Sequence, residues 1–475
     1  MILAGLDSST QGTTALVVDD ADGRVLARGR APHRVGGVRG ERRSDPRDWW
    51  AAGAAALAQT GWASRVQAIA VAAQQHGLVV LDGEGEPLAP ASLWNDTTSA
   101  PDALALLEDL GGPGVWAQLT GSVPVAANTV CKWAHLRRSA PDLARRARAV
   151  RLPHEYLTER MCAAASGDRG DASGTGWWSP GEERYVPEVL QLARVALSEQ
   201  LLTQVRRGQD PAGELCDRAA AELGLPAGIV VACGTGDNMA AAAALGLQPG
   251  TPVVSLGTSG TVYAASTTAT ADARGVLAGF ADAASAYLPL ACTLNATLAV
   301  DRFASWLGLD RDDVSAAGDV VVLPYLEGER TPNLPNASAT IAGLRHDTSP
   351  QQILQAVYDG VAASLLDGVE RLDALAGLDA DSPLVLIGGG ARGAAWQATL
   401  SAFTGRALVL PREPELVALG AAALAGAAAS GQPAAALARR WRAAAGARVE
   451  SRPRDEERLA RIARVRHALA ALDEG

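Results

Sequence analysis

An apolar strand, a turn built from Ser, Thr, Gly and Gln, and a second apolar strand open the chain as ILAGLD, SSTQGTT and ALVVDD. The plan returns at 252–265, where PVVSLGTSGTVYAAS again runs strand, Gly-Thr-Ser-Gly-Thr turn, strand. A supersecondary unit cannot bury its apolar face alone, so carrying it twice points to two related cores. The economical reading is a duplicated α/β protein whose boundary lies near Leu247-Gln248-Pro249-Gly250, giving domains 1–247 and 248–475.

Ala21-Asp22-Gly23 makes a second turn after the first hairpin, so the chain opens as a β-meander. Asp45-Pro46 then starts a helix through RDWWAAGAAALAQ, and VQAIAVAAQ reads as a buried strand. Trp49, Trp50 and Trp94 are expected in the core, and 174–184 is expected to be loop. In the second half Ile353, Val357, Val361, Leu365, Val369 and Leu372 mark one apolar helix face. PLVLIGGGARGAAWQATLSAFTG reads strand, Gly-rich turn, helix.

The 475 residues are 48% hydrophobic with a net charge of −10, which argues for a globular protein and against broad nucleic-acid or anionic-membrane binding. The five cysteines are scattered without ligand spacing, as expected of reduced thiols in a cytoplasmic protein. The N-terminus lacks a basic region and meets Asp7 early, so no signal peptide is expected. The apolar run at 416–429 is too short and alanine-rich to span a bilayer.

Three Gly/Ser/Thr turns follow apolar strands, at 7–14, 257–261 and 388–393. Such turns let backbone N–H groups approach phosphate oxygens, and no Walker-type GxxxxGK[ST] is present. Asp7 and Asp237 each leave an apolar run into such a turn, a pair suited to phosphoryl transfer. Locally, however, Asp237 reads as readily as an N-cap for the alanine-rich helix after it, and Asp7 as an Asx turn. Gln74-Gln75-His76 interrupts an apolar run and offers polar groups to a polyol. Gly388 to Gly393 also fits GxGxxG, with Glu413 or Glu415 as a ribose acid, which is the pattern of a nicotinamide-dependent oxidoreductase.

Taken in order, the motifs resemble the FGGY carbohydrate kinases, most closely those acting on D-xylulose. They are GLDSSTQGTT, Asp45-Pro46 with Trp49-Trp50, AAQQHGLVVLD, LWND, EYLTERM, DASGTGWW, GTGDN, SLGTSGT, LPYLEGERTP, the stretch 339–359 and GGGARGAAW. The resemblance implies two actin-like (ribonuclease H-like) ATPase domains around a central cleft. It implies ATP, Mg²⁺ and phosphorylation of a ketose, D-xylulose to D-xylulose 5-phosphate foremost, with ribulose, another pentulose or a polyol as alternative acceptors. Asp237 matches the general base, and Asp7 with Asp237 the acids that support Mg²⁺ through ATP or water. Gln75, His76, Asp237 and Asn238 match sugar contacts. Ser9, Thr10, Gln11, Gly12, Thr13 and Thr14 match one phosphate turn, and Gly257, Thr258, Ser259, Gly260 and Thr261 the other. Gly389, Gly390, Ala391 and Arg392 match the adenosine-side loop. Gln75 stands where Met is common, Thr98 where Arg is common, and His135 where Trp is usual, close to the chain's single lysine, Lys132. The implied partner is a small sugar, with a homodimer left open; an actin-like ATPase that binds protein instead of sugar is the remaining alternative.

Overall fold

The computed structural model describes residues 1–326, 328–334 and 337–473; Glu327 of LPYLEGERTP lies outside the described residues. The chain folds into two compact units. It first passes from one to the other at residues 247–248, then returns twice, so that 267–288 and 415–444 pack within the first unit.

The opening meander of the first unit is antiparallel: β1 (Ile2–Ser8), β2 (Gly12–Asp19) and β3 (Val25–Pro32). Next come β4 (Ala68–Ala73), β5 (Pro211–Glu214) and β6 (Val230–Ala232); β4 runs parallel to β1, β6 parallel to β4, and β5 antiparallel to β6. The sheet order is β5-β6-β4-β1-β2-β3. β1 and β4 are apolar on both faces because both faces are covered. Leu6 and Ala4 point into a core with Trp49 and Trp50 from the helix Pro46–Thr60. That helix is capped by Asp45, whose side chain accepts from the Arg47 N–H at 3.0 Å. On the opposite face the helix Leu416–Ser430 lies so close that a Cβ on Gly5 would collide with the Ala418 carbonyl. This helix is apolar all round and accordingly buried; among the described residues no single helix is long and apolar enough to cross a membrane.

In the second unit β7 (Pro252–Leu256), β8 (Gly260–Ala264) and β9 (Tyr287–Thr293) form the repeated meander. β10 (Leu384–Ile387) and β11 (Leu408–Pro411) extend it in parallel, and β12 (Gly446–Val449) closes the edge antiparallel. The order β9-β8-β7-β10-β11-β12 repeats β3-β2-β1-β4-β6-β5, so both strand order and orientation are duplicated. The apolar stripe expected at 353–372 lies on the helix Pro350–Ala376, which starts in a capping box formed by Ser349 and Gln352.

The 174–184 stretch is irregular as expected, apart from the two-residue strand Trp178–Ser179 and the Arg184 that pairs with it, and its Trp177 and Trp178 are each 2% exposed, inside a core with Trp116 and Trp133. One sequence expectation is corrected. Trp94 is not core. It is half-buried, and its indole N–H donates to Thr10 Oγ1 at 3.0 Å.

Candidate active site

Register brings three strand ends abreast. Asp7 pairs with Ala72 across β1 and β4, and Thr235 of the two-residue strand Thr235–Gly236 pairs with the same Ala72 from the other side. All three strands run parallel, so the chain leaves them in one direction at Ser9, at Gln74 and at Asp237. The carboxyl ends of parallel strands are where open α/β sheets bind ligands. Asp7, Gln75, His76, Asp237 and Asn238 are thereby gathered at one edge.

Asp237 is not the cap of its helix. Gly236 is the N-cap, and Asp237 is the first helical residue of Asp237–Leu245. Its Oδ1 accepts from its neighbour Asn238 twice, from the backbone N–H at 2.8 Å and from Nδ2 at 3.0 Å. Asn238 Nδ2 also donates to Gln75 Oε1 at 2.9 Å, which ties the two loops together. Gly236 permits this, since a Cβ there would strike the Gln75 side chain. Burial, with a smaller contribution from the charge of Asp171, pushes Asp237 up to about 7 against the lowering effect of the Asn238 hydrogen bonds. Burial likewise pushes Asp7 up to about 7, with Asp237 and Glu415 adding to the rise and the Ser9 hydroxyl, which donates to Asp7 Oδ1 at 2.7 Å, opposing it.

His76 takes a left-handed backbone, φ 63°, an uncommon conformation for a residue other than glycine. Its Nδ1 lies 2.9 Å from the Gly174 carbonyl, and its ring sits 5.6 Å from that of Phe280. Phe280 comes from the returning segment 267–288, whose Ala281 N–H donates to Ser173 Oγ at 3.0 Å.

The first Ser/Thr turn is narrower than expected. The Ser9 N–H donates to the Gly12 carbonyl at 3.0 Å, so Ser9, Thr10 and Gln11 form the tip while Gly12, Thr13 and Thr14 belong to β2. Thr13 and Thr14 are buried, with Thr14 directly across from Asp7. In the second unit Gly257, Thr258 and Ser259 are the tip, and Gly260 and Thr261 begin β8. Thr297 fixes this turn through two bonds to the Gly257 carbonyl, from its N–H at 3.1 Å and its hydroxyl at 2.7 Å. Gly389, Gly390, Ala391 and Arg392 form one turn of 3₁₀ helix between β10 and the helix Ala394–Thr404. A Cβ on Gly388 would collide with Leu256 at the end of β7, so the 257–261 and 388–392 turns lie side by side in their unit. Arg392 is exposed.

The topology removes the dinucleotide reading of 388–393. The sheet holding that turn is an antiparallel meander with two parallel strands added, not the parallel βαβαβ half that the fingerprint requires. Glu415, one of the two candidate ribose acids, instead acts on Asp7 in the first unit.

A buried acid–imidazole group behind the site escaped the sequence reading. His154, Asp168 and Asp171 are all fully buried; His154 Nδ1 is 2.8 Å from Asp171 Oδ2, and its Nε2 is 3.6 Å from Asp168 Oδ1. Asp168 accepts from Thr235 Oγ1 at 2.8 Å, two residues before Asp237. Burial pushes Asp171 up to about 8 and Asp168 to about 6, His154 and hydrogen bonds holding the latter down. Lys132 is buried too, its ammonium on the carbonyls of Ala126 and Ala127, and burial lowers it to about 7. It braces a loop and does not face Asp237 or Asp7 through any bond described. Thr98 bonds through its N–H and hydroxyl to Asp96 Oδ1, a local turn.

Residues 2–246 match the N-terminal domain, and residues 253–429 the C-terminal domain, of the FGGY family of carbohydrate kinases. The chain is 55% identical over 467 residues to a xylulose kinase of Streptomyces rubiginosus, covering 98% of this chain and 95% of that one. A xylulose kinase of Streptomyces coelicolor is 56% identical over 468 residues, with the same coverage of 98% and 95%. Among solved structures, the xylulose kinase of Bifidobacterium adolescentis superposes with a TM-score of 0.85 at 33% identity, covering 98% of this chain and 99% of the other. The duplicated α/β architecture is thus that of the two-domain, actin-like kinases.

Proposed function

The chain belongs to the FGGY family of carbohydrate kinases, and on that premise we propose that it transfers the γ-phosphoryl group of ATP to the terminal hydroxyl of D-xylulose, giving D-xylulose 5-phosphate. The observation that carries the reading is Asp237, a carboxylate raised to about 7 at the ends of three parallel strands, beside polar Gln75, His76 and Asn238. The proteins more than half identical to it along nearly their whole length are xylulose kinases, which supports D-xylulose as acceptor.

Asp237 accepts the proton of the attacking hydroxyl, a general-base role that suits a pKa close to neutral. Asn238 fixes one carboxylate oxygen by two bonds, so the other is oriented toward the acceptor. His76, its ring turned by the backbone corner, and Asn238 hold the ketose, with Phe280 supplying an apolar wall. In the first unit the Ser9–Gly12 tip, braced by Trp94, meets phosphate oxygens; in the second, Gly257–Thr261 and Gly389–Arg392 take the nucleotide. Positioning and electrostatic stabilisation of this kind are where most catalysis of phosphoryl transfer lies.

Asp7 and Asp237 fit Mg²⁺, being hard oxygen donors near enough that the charge of one raises the other. Magnesium is typically held by one or two carboxylates together with substrate phosphates, and among the described residues no three-ligand His/Cys/Asp/Glu cluster forms a protein cage. When bound, the ion would screen the phosphate charge.

A coupled ADP-release assay across D-xylulose, D-ribulose, L-ribulose and common polyols tests the assignment. D-Xylulose should give the highest kcat/KM, and Asp237→Asn should lower kcat by roughly 10²–10⁴-fold. Undiminished sugar-dependent turnover in that variant removes Asp237 as the base. A better acceptor in the panel replaces D-xylulose, and no sugar-dependent turnover at all defeats the kinase reading.

A further inference from the structure

Gly257 and Thr258 are exposed at the tip of their turn, so the turn keeps its shape through what lies behind it. Behind it runs the loop from Thr293, the last residue of β9, to Thr297, the first of the helix Thr297–Leu307. This loop grips the turn at both ends. Thr297 holds the Gly257 carbonyl through its N–H and its hydroxyl, and Thr293 Oγ1 accepts from the Gly260 N–H at 3.2 Å. A Cβ on Gly260 would collide with that oxygen, so glycine lets the turn seat this closely. The loop is itself held by one side chain, that of Glu329 in LPYLEGERTP, which is 1% exposed. Its Oε1 accepts from the N–H groups of Leu294 at 2.6 Å and Arg330 at 2.8 Å. Its Oε2 accepts from the N–H of Asn295 at 3.3 Å and from Asn295 Nδ2 at 3.1 Å. The segment carrying Glu329 is anchored to the same loop and to β9: Asn295 Nδ2 also donates to the Gly328 carbonyl at 2.8 Å, and Thr331 Oγ1 donates to the Cys292 carbonyl at 2.9 Å.

We propose that Glu329 is a positioning residue for phosphoryl transfer: by clamping Leu294 and Asn295 it sets Thr293 and Thr297, and through them the Gly257–Thr261 turn that meets the phosphates of ATP. The inference rests on the kinase reading and deepens it, since no residue of LPYLEGERTP is matched to sugar or nucleotide. An ionised carboxyl only accepts, with about four lone-pair sites, and Glu329 meets four donors. Burying a carboxylate is costly unless it is fully bonded, and a group needed only to fill space would be apolar. Three of the four bonds lead to the loop that backs the turn. Every link from Glu329 to Gly257 is a hydrogen bond or a peptide bond, and all of it lies within the second unit.

The test is steady-state kinetics of the full chain with D-xylulose and ATP, with adenosine as a competing inhibitor and thermal midpoints recorded alongside. Glu329→Leu should raise the KM for ATP by about tenfold or more, the scale of losing hydrogen bonds to a charged group. The KM for D-xylulose should stay within about twofold, and so should inhibition by adenosine, which has no phosphates; a general loosening of the unit would weaken adenosine as much as ATP. Thr297→Val keeps the shape and loses only the hydroxyl bond to Gly257, so it should raise the KM for ATP by about fivefold. Its loss should not multiply with that of Glu329→Gln, because both act on one turn. Should Glu329→Leu fail to fold, Glu329→Gln, which keeps one acceptor oxygen, carries the same expectation at about threefold or more. Folded Glu329 variants whose KM for ATP stays within twofold of wild type overturn the proposal and leave the kinase reading standing. Adenosine inhibition lost in step with ATP, or losses that multiply in the double variant, overturn it too. Absence of ketose-dependent ADP release from the wild type would defeat the kinase reading itself, and the proposal with it.

Discussion

A carboxylate becomes a base near neutral pH only if its surroundings withhold full hydration. Asp237 and Asp7 meet that condition chiefly through burial, helped at Asp7 by the charge of Asp237 and at Asp237 by that of Asp171, and both rise to about 7. For activity, Asp237 must be ionised, so kcat/KM for D-xylulose should fall as pH drops through about 7, and the Asp237→Asn residue should lose that limb; a pH-rate profile of both proteins checks it. For stability the sign is opposite to that of an ordinary salt-bridged acid. Carboxyls with a folded pKa above the unfolded 3.8 bind more protons native than unfolded between 3.8 and about 7. Stability should therefore decline as pH rises through that window, with Asp171 extending it to about 8. The thermal midpoint of the ligand-free protein should rise on going from pH 8.5 to pH 6, and the gain should be smaller in Asp237→Asn. Trp94 gives a separate prediction. Its bond to Thr10 braces the phosphate tip, so Trp94→Phe should raise the KM for ATP by about fivefold, the equivalent of one hydrogen bond of about 1 kcal/mol, with the thermal midpoint little changed.

Among elements, the helix Leu416–Ser430 shows how a strongly apolar segment is used. Read along the sequence it is a hydrophobic run near the end of the second half; in the fold it is a core layer of the first unit, against β1. Gly5 is the contact point, and Gly5→Val would force backbone atoms of the helix away. Overpacking of this kind costs about 1–3 kcal/mol, so the variant should show a lowered thermal midpoint and a lowered urea midpoint. Gly29, on β3 beyond β2 in the same sheet, packs on the other covering helix through Ala56, and a thermal midpoint for Gly5→Val equal to wild type would mean that the helix is not seated on β1 in solution. The repeated hairpins were legible because strand alternation and turn chemistry are local. The cap reading of Asp237 failed by a single residue, because Gly236 takes the capping position and frees the acid. Trp94 was misread because a lone aromatic beside polar residues carries no local sign of whether its N–H has a partner.

The whole molecule adds what no local pattern contains. The repeated strand–turn–strand unit was legible because its two copies can be compared within one chain; the order of the strands in each sheet was not, since it is set by pairings between segments far apart in sequence. Asp171, His154 and Phe280 were not, since their contacts come from pairings across distant segments: His154 meets acids 14 and 17 residues on, and Phe280 reaches His76 from beyond the apparent domain boundary. That boundary has a consequence for dissection. A fragment of residues 1–247 would keep its full sheet but lose 267–288, which supplies Ala281 to the tryptophan core, and 415–444, which covers β1 and β4. Both faces of a largely parallel sheet must be covered for it to be stable. The fragment alone should therefore bind a hydrophobic dye and be cleaved quickly by protease, whereas co-expression with residues 248–475 should restore a soluble complex that co-purifies and turns over D-xylulose. A separately stable, protease-resistant 1–247 fragment would show that the returning segments are accessories and not part of the first unit's core.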